Sequence, residues 1–576
     1  MRNKIEGRRR ASALACLMVG VLAPASAMAY GIEVPENGGV AFGRAGAFVA
    51  RASDPSALML NPGGMGNLRG FQLTLSTNLV QFDHCFQRTG SYDGVNDATA
   101  LNVGGTRFEG PGMNGASPGD AYYTYGNVRY PRVCKEDSVG LAVQLLATYR
   151  INNRFTLGFG VFSPSTQGST QNFADTVNAT ANVGGMQRTF LAPSPARYLL
   201  FRKSLTVLYP TLAFGARITN WLSAGVSAHL GYANYSFGLH ANADYNGPQS
   251  PSSDVFIGLN ASGLFPAFTV GFLATPHRMI SIGGNFRYNA PVQASGTATN
   301  RAQPYSNRPI ESTFTVNELN ASLPWQLRLG VRFALPRAGR PTQDDGSGQY
   351  DPMTDDVFDI EGDFIYEATS MLSETSLRNT GNIITACGTM PPQPVAGTNA
   401  VRCPDGMPVS APRNIAIRSA LTDVMGVRIG GDYNVLPGRL ALRAGFSFET
   451  AGASPNLAQI HLPSYAGVSV HGGLTFRWRW LDITAGYAHI FYFDNVAETG
   501  TRAVTTPGNP AEPNPDNRIQ LNPQTSNPPA PANAAPTCNA QGACTDAMRG
   551  PGTYTINRGT YTASQNSFNI AFSLRF

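Results

Sequence analysis

The chain has 576 residues and a formal net charge of +6, yet only 14% of its residues are charged. Past residue 29 no run reaches the roughly 18 apolar residues that a membrane-spanning helix needs. Lys occurs only at Lys4, Lys135 and Lys203, so no basic cluster suggests nucleic-acid binding. With 62 Gly, 22 Tyr and a mean hydropathy of −0.15, the composition leaves two classes. One is a secreted soluble β protein; the other is a β-barrel, whose apolar residues are diluted one in two along each strand.

The N-terminus carries Arg2, Lys4 and Arg8-Arg9-Arg10, then an apolar run from Ala11 to Ala25 and the small-x-small site Ala27-Met28-Ala29. This is the pattern of a secretory signal, residues 1–29, with cleavage near Ala29. Residues 30–69 do not alternate. Gly38-Gly39, Gly43 and Gly46 interrupt regular structure, and Ser53 or Asp54 is placed to cap a short helix with Pro55 at its first position. That helix runs through Ala57, Leu58 and Met59, and Pro62 with Gly63-Gly64 ends it. Phe42, Phe48, Val49, Leu58, Met59 and Leu60 make the segment too apolar to be left in water. A wide barrel needs filling, so the expected place is inside, as a plug or hatch. Arg44 and Arg51 are candidates to face a ligand carboxylate, which a guanidinium binds bidentately. The alternative is a wall carboxylate such as Asp359, Glu361 or Asp363.

From residue 70 onward period-two segments recur. The expected strands are 70–82, 139–150, 155–163, 204–217, 222–237, 264–275, 279–290, 312–333, 355–368, 424–435, 439–450, 465–478, 481–493 and 560–576. That is fourteen, an even number that leaves both ends in the periplasm. In the closing strand Phe568, Ile570, Phe572, Leu574 and Phe576 share one face, as the last strand of an outer-membrane barrel requires. The connections sort by length. Short turns fall at Asn152-Asn153-Arg154, Thr219-Asn220-Trp221, Pro276-His277-Arg278 and Leu436-Pro437-Gly438. Long polar stretches fall between them at 83–138, 164–203, 238–263, 291–311, 369–422, 451–464 and 494–559. Short periplasmic turns and long external loops mark an outer-membrane barrel, and only the long 334–355 connection breaks the rule.

Of the seven cysteines, Cys16 leaves with the signal. Six cysteines allow 15 pairings, and proximity in sequence favours Cys85 with Cys134, Cys387 with Cys403, and Cys538 with Cys544. Their spacing fits no zinc site, and an exported chain lies where disulfides persist. The seven histidines show no metal spacing, no Gly-x-Ser-x-Gly elbow or phosphate loop occurs, and neither metal, cofactor nor enzymatic activity is expected. A polar-solute porin and a surface adhesin built on large loops are the competing functions.

The run GIEVPENGGVAFGRAGAFVARASDPSALMLNPGGM resembles the N-terminal hatch of the FadL-type outer-membrane transporters for long-chain fatty acids and aromatic hydrocarbons. The family's elements are matched by Gly43-Arg44-Ala45 and by Asn61-Pro62-Gly63-Gly64, where Gly63 replaces the usual Ala. Further similarity lies in FTLGFGVFSPSTQG (155–168), RYNAPV (287–292), LPWQLRLGVRF (323–333) and the region 427–455. The resemblance implies a 14-stranded barrel closed by a hatch at 30–69, with the barrel itself spanning 70–576. It implies a monomer that passes hydrophobic molecules, with outer-membrane lipid around it. Capture is implied between the third and fourth external loops, here 238–263 and 291–311, with Phe256, Ile257 and Leu259 as apolar surface. A pocket above the hatch would use Phe42, Arg44, Phe48, Arg51, Leu58 and Leu60. Release is implied through a kink in the third strand, where Gly158, Gly160 and Pro164 lie.

Overall fold

The computed structural model describes residues 37–90, 139–163, 199–242, 254–302, 310–343, 350–379, 421–453, 463–497 and 558–576, with shorter stretches in the intervening loops. The signal, Pro164 and Cys403 lie outside the described residues. The first half of the wall is β1 (Phe71–Arg88), β2 (Val139–Arg150), β3 (Phe155–Phe162), β4 (Arg202–Arg217), β5 (Leu222–Asn242), β6 (Asp254–His277) and β7 (Ile280–Asn289). The second half is β8 (Gln326–Pro336), β9 (Asp356–Glu367), β10 (Val424–Leu436), β11 (Leu440–Glu449), β12 (Gly467–Trp478), β13 (Leu481–Tyr492) and β14 (Gly559–Arg575). Each pairs antiparallel with the next, and β14 returns to β1 from Gln72↔Arg575 to Arg88↔Gly559. The result is a closed 14-stranded barrel, in which every wall strand pairs on both sides over at least part of its length.

Alternation sets the two faces. Leu75, Leu79, Val143, Leu212, Val331, Ile429, Val470 and Ile570 are exposed on the outside, while their chain neighbours are buried inside. Tyr149, Trp221, Tyr433, Trp478, Trp480 and Phe576 ring the end with short turns, and Tyr232, Tyr288 and Phe491 lie towards the other. An apolar band between aromatic girdles is what a membrane-spanning barrel presents to lipid. No described helix is long and apolar enough to cross a membrane.

The short turns have local causes. Asn152 Oδ1 accepts from the backbone N–H of Arg154 at 2.8 Å and of Phe155 at 3.0 Å, and Thr219 Oγ1 accepts from Leu222 N–H at 3.0 Å.

Three expectations need correction. The stretch 312–333 is two strands, Ile310–Ala321 and β8, because Pro324 lies between them and cannot donate to a ladder. The expected loops 238–263 and 291–311 are largely strand. β5 and β6 run on as a ribbon to Asn242 and Asp254, and β6 also pairs with Val292–Ala302, itself paired with Ile310–Ala321. The capture candidates Phe256, Ile257 and Leu259 are therefore on β6. The short helix is Ala57–Leu60, starting after Ser56, with Asp54 Oδ1 accepting from Ser56 N–H at 2.7 Å.

Cys85 and Cys134 are joined by a disulfide that closes the first external loop. Cys538 lies opposite Cys544 in a two-residue ribbon, and Cys387 ends the strand Ile383–Cys387.

The face assignment is tested by placing charge in lipid. Ile429→Arg, on the outside of β10, is expected to destabilise the barrel by about 2–4 kcal/mol if it sits near the midplane. Urea unfolding in lipid vesicles measures this.

Candidate functional site

Residues 37–68 lie within the ring of strands and touch it on every side. Ser227 of β5 donates to the Leu58 carbonyl at 2.6 Å, and Ser223 donates to the Gly63 carbonyl at 2.7 Å. Asn61 donates to the carbonyls of Val49 at 2.7 Å and Phe272 at 2.9 Å. On the far side, His471 Nδ1 lies 2.8 Å from the Phe42 carbonyl, and Asn78 of β1 donates to Asn37 at 2.8 Å. Asn61, Pro62, Gly63 and Gly64 form the entrance to a 3₁₀ turn, Pro62–Asn67, pressed on β4 to β6. A Cβ at Gly63 would sit 2.5 Å from the Phe272 backbone, so the alanine usual at this place would not fit.

The segment is held by a buried ion cluster. Arg44, fully buried, reaches Asp359 at 2.5 Å, Asp432 at 2.6 Å and Glu361 at 3.0 Å. Arg51 reaches Asp359 at 2.6 Å and Asp432 at 2.9 Å, and Asp363 accepts from the backbone N–H of Phe48 at 3.0 Å and of Val49 at 3.2 Å. Of the two expectations for Arg44 and Arg51, pairing with wall carboxylates is the one realised. Ala45 and Ala52, which follow the two arginines, have φ of 55° and 37°, a region alanine rarely adopts. The ion pairs hold the backbone there.

The interior has two unlike halves. Phe48, Leu58 and Leu60 join one buried apolar cluster with Leu205, Val207, Tyr209, Leu239, Leu259 and Phe265, while Ile257 packs against it. Phe42 does not join; its ring meets His471 edge-on at 5.5 Å. Phe256 packs instead against a second apolar cluster, its ring tilted on the His240 ring at 5.4 Å. The opposite half, on β8 to β11, is charged: Arg328, Arg332, Arg428, Arg443, Asp432 and Glu449 are all buried.

Beside β3 the ladder is interrupted among the described residues. β3 pairs with β2 only along Leu145–Arg150, so Val139–Gln144 of β2 have no ladder partner on that side among the described residues. Across from them, Leu205–Leu208 of β4 lie between its pairings with β3 and with Thr170–Asn172. A half-open pocket of about 570 Å³ lies next to this stretch, lined by the outward-facing Leu145, Phe159, Val161 and Leu212 together with Gly160 and the buried His229. Pro210 lines it too and removes a donor from β4. A Cβ on Gly160 would lie 2.6 Å from the Leu145 carbonyl, and one on Gly158 would lie 2.7 Å from Met65 Cε. The two glycines thus serve different contacts, Gly160 the wall and Gly158 the segment inside.

At the level of sequence, no protein-family model and no curated protein matches the chain. Solved structures do. A FadL homologue of Pseudomonas aeruginosa is 13% identical with a TM-score of 0.58, over 95% of this chain and 100% of that one. The toluene transporter TodX of P. putida is 12% identical with a TM-score of 0.52, over 95% and 99%. The toluene transporter TbuX of Ralstonia pickettii is 15% identical with a TM-score of 0.50, over 94% and 99%. The fold is that of the FadL-type channels. Together with the apolar belt, the FadL-type fold supports placement in an outer membrane.

Asp432 was missed from sequence, although it obeys the same rule as Asp359, Glu361 and Asp363: an acid on the inward face of its strand. Arg44→Met would leave those carboxylates buried without their central cation. The expected cost is about 3–5 kcal/mol, felt first by the segment. Limited proteolysis of residues 37–68 and single-channel conductance, both rising, check it.

Proposed function

We propose that the protein carries hydrophobic small molecules, long-chain fatty acids or aromatic hydrocarbons, across the outer membrane as a monomer. Residues 30–69 act as the hatch. Cargo is gathered at the ribbon bearing Phe256, Ile257 and Leu259, enters the apolar half of the interior and leaves sideways through the window beside β3. The observation that supports this reading is a filled axis beside a stretch of wall where, among the described residues, Val139–Gln144 and Leu205–Leu208 have no ladder partner between them. An acyl chain gains about 0.8 kcal/mol for each buried CH₂, so an apolar interior captures it without chemistry. A route through the wall delivers it to lipid, where that gain is kept.

A polar-solute porin would have no use for a lumen filled with Phe48, Leu58 and Leu60, and an adhesin none for the window. The test is uptake of labelled oleate and toluene by cells with and without the protein. Uptake of either above background is expected, and background uptake of both refutes the reading. Gly160→Val, whose Cβ would press on the Leu145 carbonyl at the β2–β3 seam without touching the hatch, is expected to lower uptake at least severalfold, with heat-modified mobility on a gel checking that the barrel is still folded. Unchanged uptake would refute lateral release and leave capture standing.

A further inference from the structure

The mouth of the barrel at the end with the long connections is covered by a piece of chain that capture and release leave without a role. In the connection between β11 and β12, at 458–461 and 463–466, Ala458, Gln459, Ile460, His461, Ser464 and Tyr465 are all buried. Connections ordinarily run over the surface, where water satisfies their backbone. This one crosses the mouth. The His461 carbonyl accepts from Lys203 Nζ of β4 at 3.2 Å, and β13, β14, β1, β2 and β3 lie between β12 and β4. In a ring of 14 strands those two stand nearly opposite each other. On the way across, the Tyr465 hydroxyl lies 2.7 Å from His84 Nε2 of β1.

The rest of the contact is apolar. Ile460 and Tyr465 share the second buried cluster with Phe86 of β1 and Tyr561 of β14, and Leu199 and Phe201 join it from the β4 side. Phe256 packs against this cluster, whereas its chain neighbour Ile257 packs against the luminal one. The seam between the two clusters therefore falls at the ribbon. Apolar burial holds the crossing chain down without fixing where it lies, because it has no direction. The two polar contacts supply the direction. Among the described residues the His461 carbonyl is the one hydrogen-bond acceptor of Lys203. Losing it would leave an ammonium unpaired in apolar surroundings, so this bond costs more to break than a neutral one.

We propose that this crossing chain is a lid on the outer mouth, latched by Lys203 on the His461 carbonyl and by Tyr465 on His84, and that it swings aside to let cargo pass from the ribbon to the apolar interior. The cargo rests on the transport reading above; the latch does not. The test places a thiol below the latch with Leu205→Cys, a buried inward position two residues along β4 from Lys203. In intact cells a membrane-impermeant maleimide reaches it only from outside. With the latch intact, labelling is expected to be slow. Lys203→Met and Tyr465→Phe, each combined with Leu205→Cys, are expected to raise its rate about tenfold or more, and Lys203→Arg, which keeps a donor, far less. The protein without Leu205→Cys gives the background of the native cysteines, and heat-modified mobility on a gel checks that each barrel is folded. A rate that ignores Lys203→Met and Tyr465→Phe overturns the lid, as does fast labelling with the latch intact. An equal rise in Lys203→Arg also overturns it, since that marks a loosened wall rather than a lost bond. Labelling that tracks the latch while cells take up neither oleate nor toluene leaves the lid standing and refutes the transport reading. Uptake combined with labelling that ignores the latch does the reverse.

Discussion

The structure depends on one arrangement of charge: Arg44 and Arg51 of the N-terminal segment set against Asp359, Glu361 and Asp432 of the wall. Arg332 and Arg443 complete it from the wall side, at 2.9 Å from Asp359 and 3.0 Å from Asp432. Buried ion pairs contribute little net stability, because desolvation offsets the attraction. Their use is specificity. The apolar side chains of the segment would accept many packings, whereas a guanidinium among three carboxylates accepts few. The backbone N–H groups of Phe48, Val49 and Ala50, bonded to Asp363 and Glu361, fix the same stretch a second time. An axis closed in this way gives weight to the interruption in the described ladder beside β3.

That closure divides the interior. On β8 to β11 the inward positions are spent on holding the segment. On β4 to β6 they are free to be apolar, and the cluster there runs without a break from Leu58 to Leu259. The interruption lies on the apolar side, between β2 and β4, so it neighbours the apolar surface. Pro210 and Gly160 mark the place, since each weakens the ladder where it stands.

Much of this was legible in residue order. The fourteen strands followed from period-two alternation and from the sorting of short and long connections. The acids Asp359, Glu361 and Asp363 stood out because three charges in one strand all faced inward. The ribbon beyond the expected strands, at 238–263 and 292–302, was not legible, because Gly, Ser, Thr and Asn give it the composition of a loop. Its strand character comes from pairing with Leu222–Asn242, a long-range effect that local pattern does not carry. Lys203 was visible as one of three lysines, yet its environment depends on Phe237 and His461, which only the fold brings near. Gly158 and Gly160 drew attention to the third strand, but alternation cannot reveal that six residues of β2 have no ladder partner on that side among the described residues.

The connection after β8, the one long segment among the short turns, has its own weight. Arg337 and Asp355 meet through a backbone hydrogen bond of 2.7 Å, so its ends close on each other. Gln343 accepts from Ser281 at 3.2 Å on one flank, and Asp351 pairs with Arg477 on the other. Burial would raise the Asp351 carboxyl, but Arg575 and Arg477 together hold it below the usual carboxylate range. With Arg51, Asn67 and Arg69 this segment encloses a cavity of about 200 Å³ beneath the residues inside the barrel. Two pieces of chain far apart in sequence thus meet at this end of the barrel. A single event that loosened the upper piece would leave the lower one in place, so a movement of residues 37–68 need not by itself open the lumen to water.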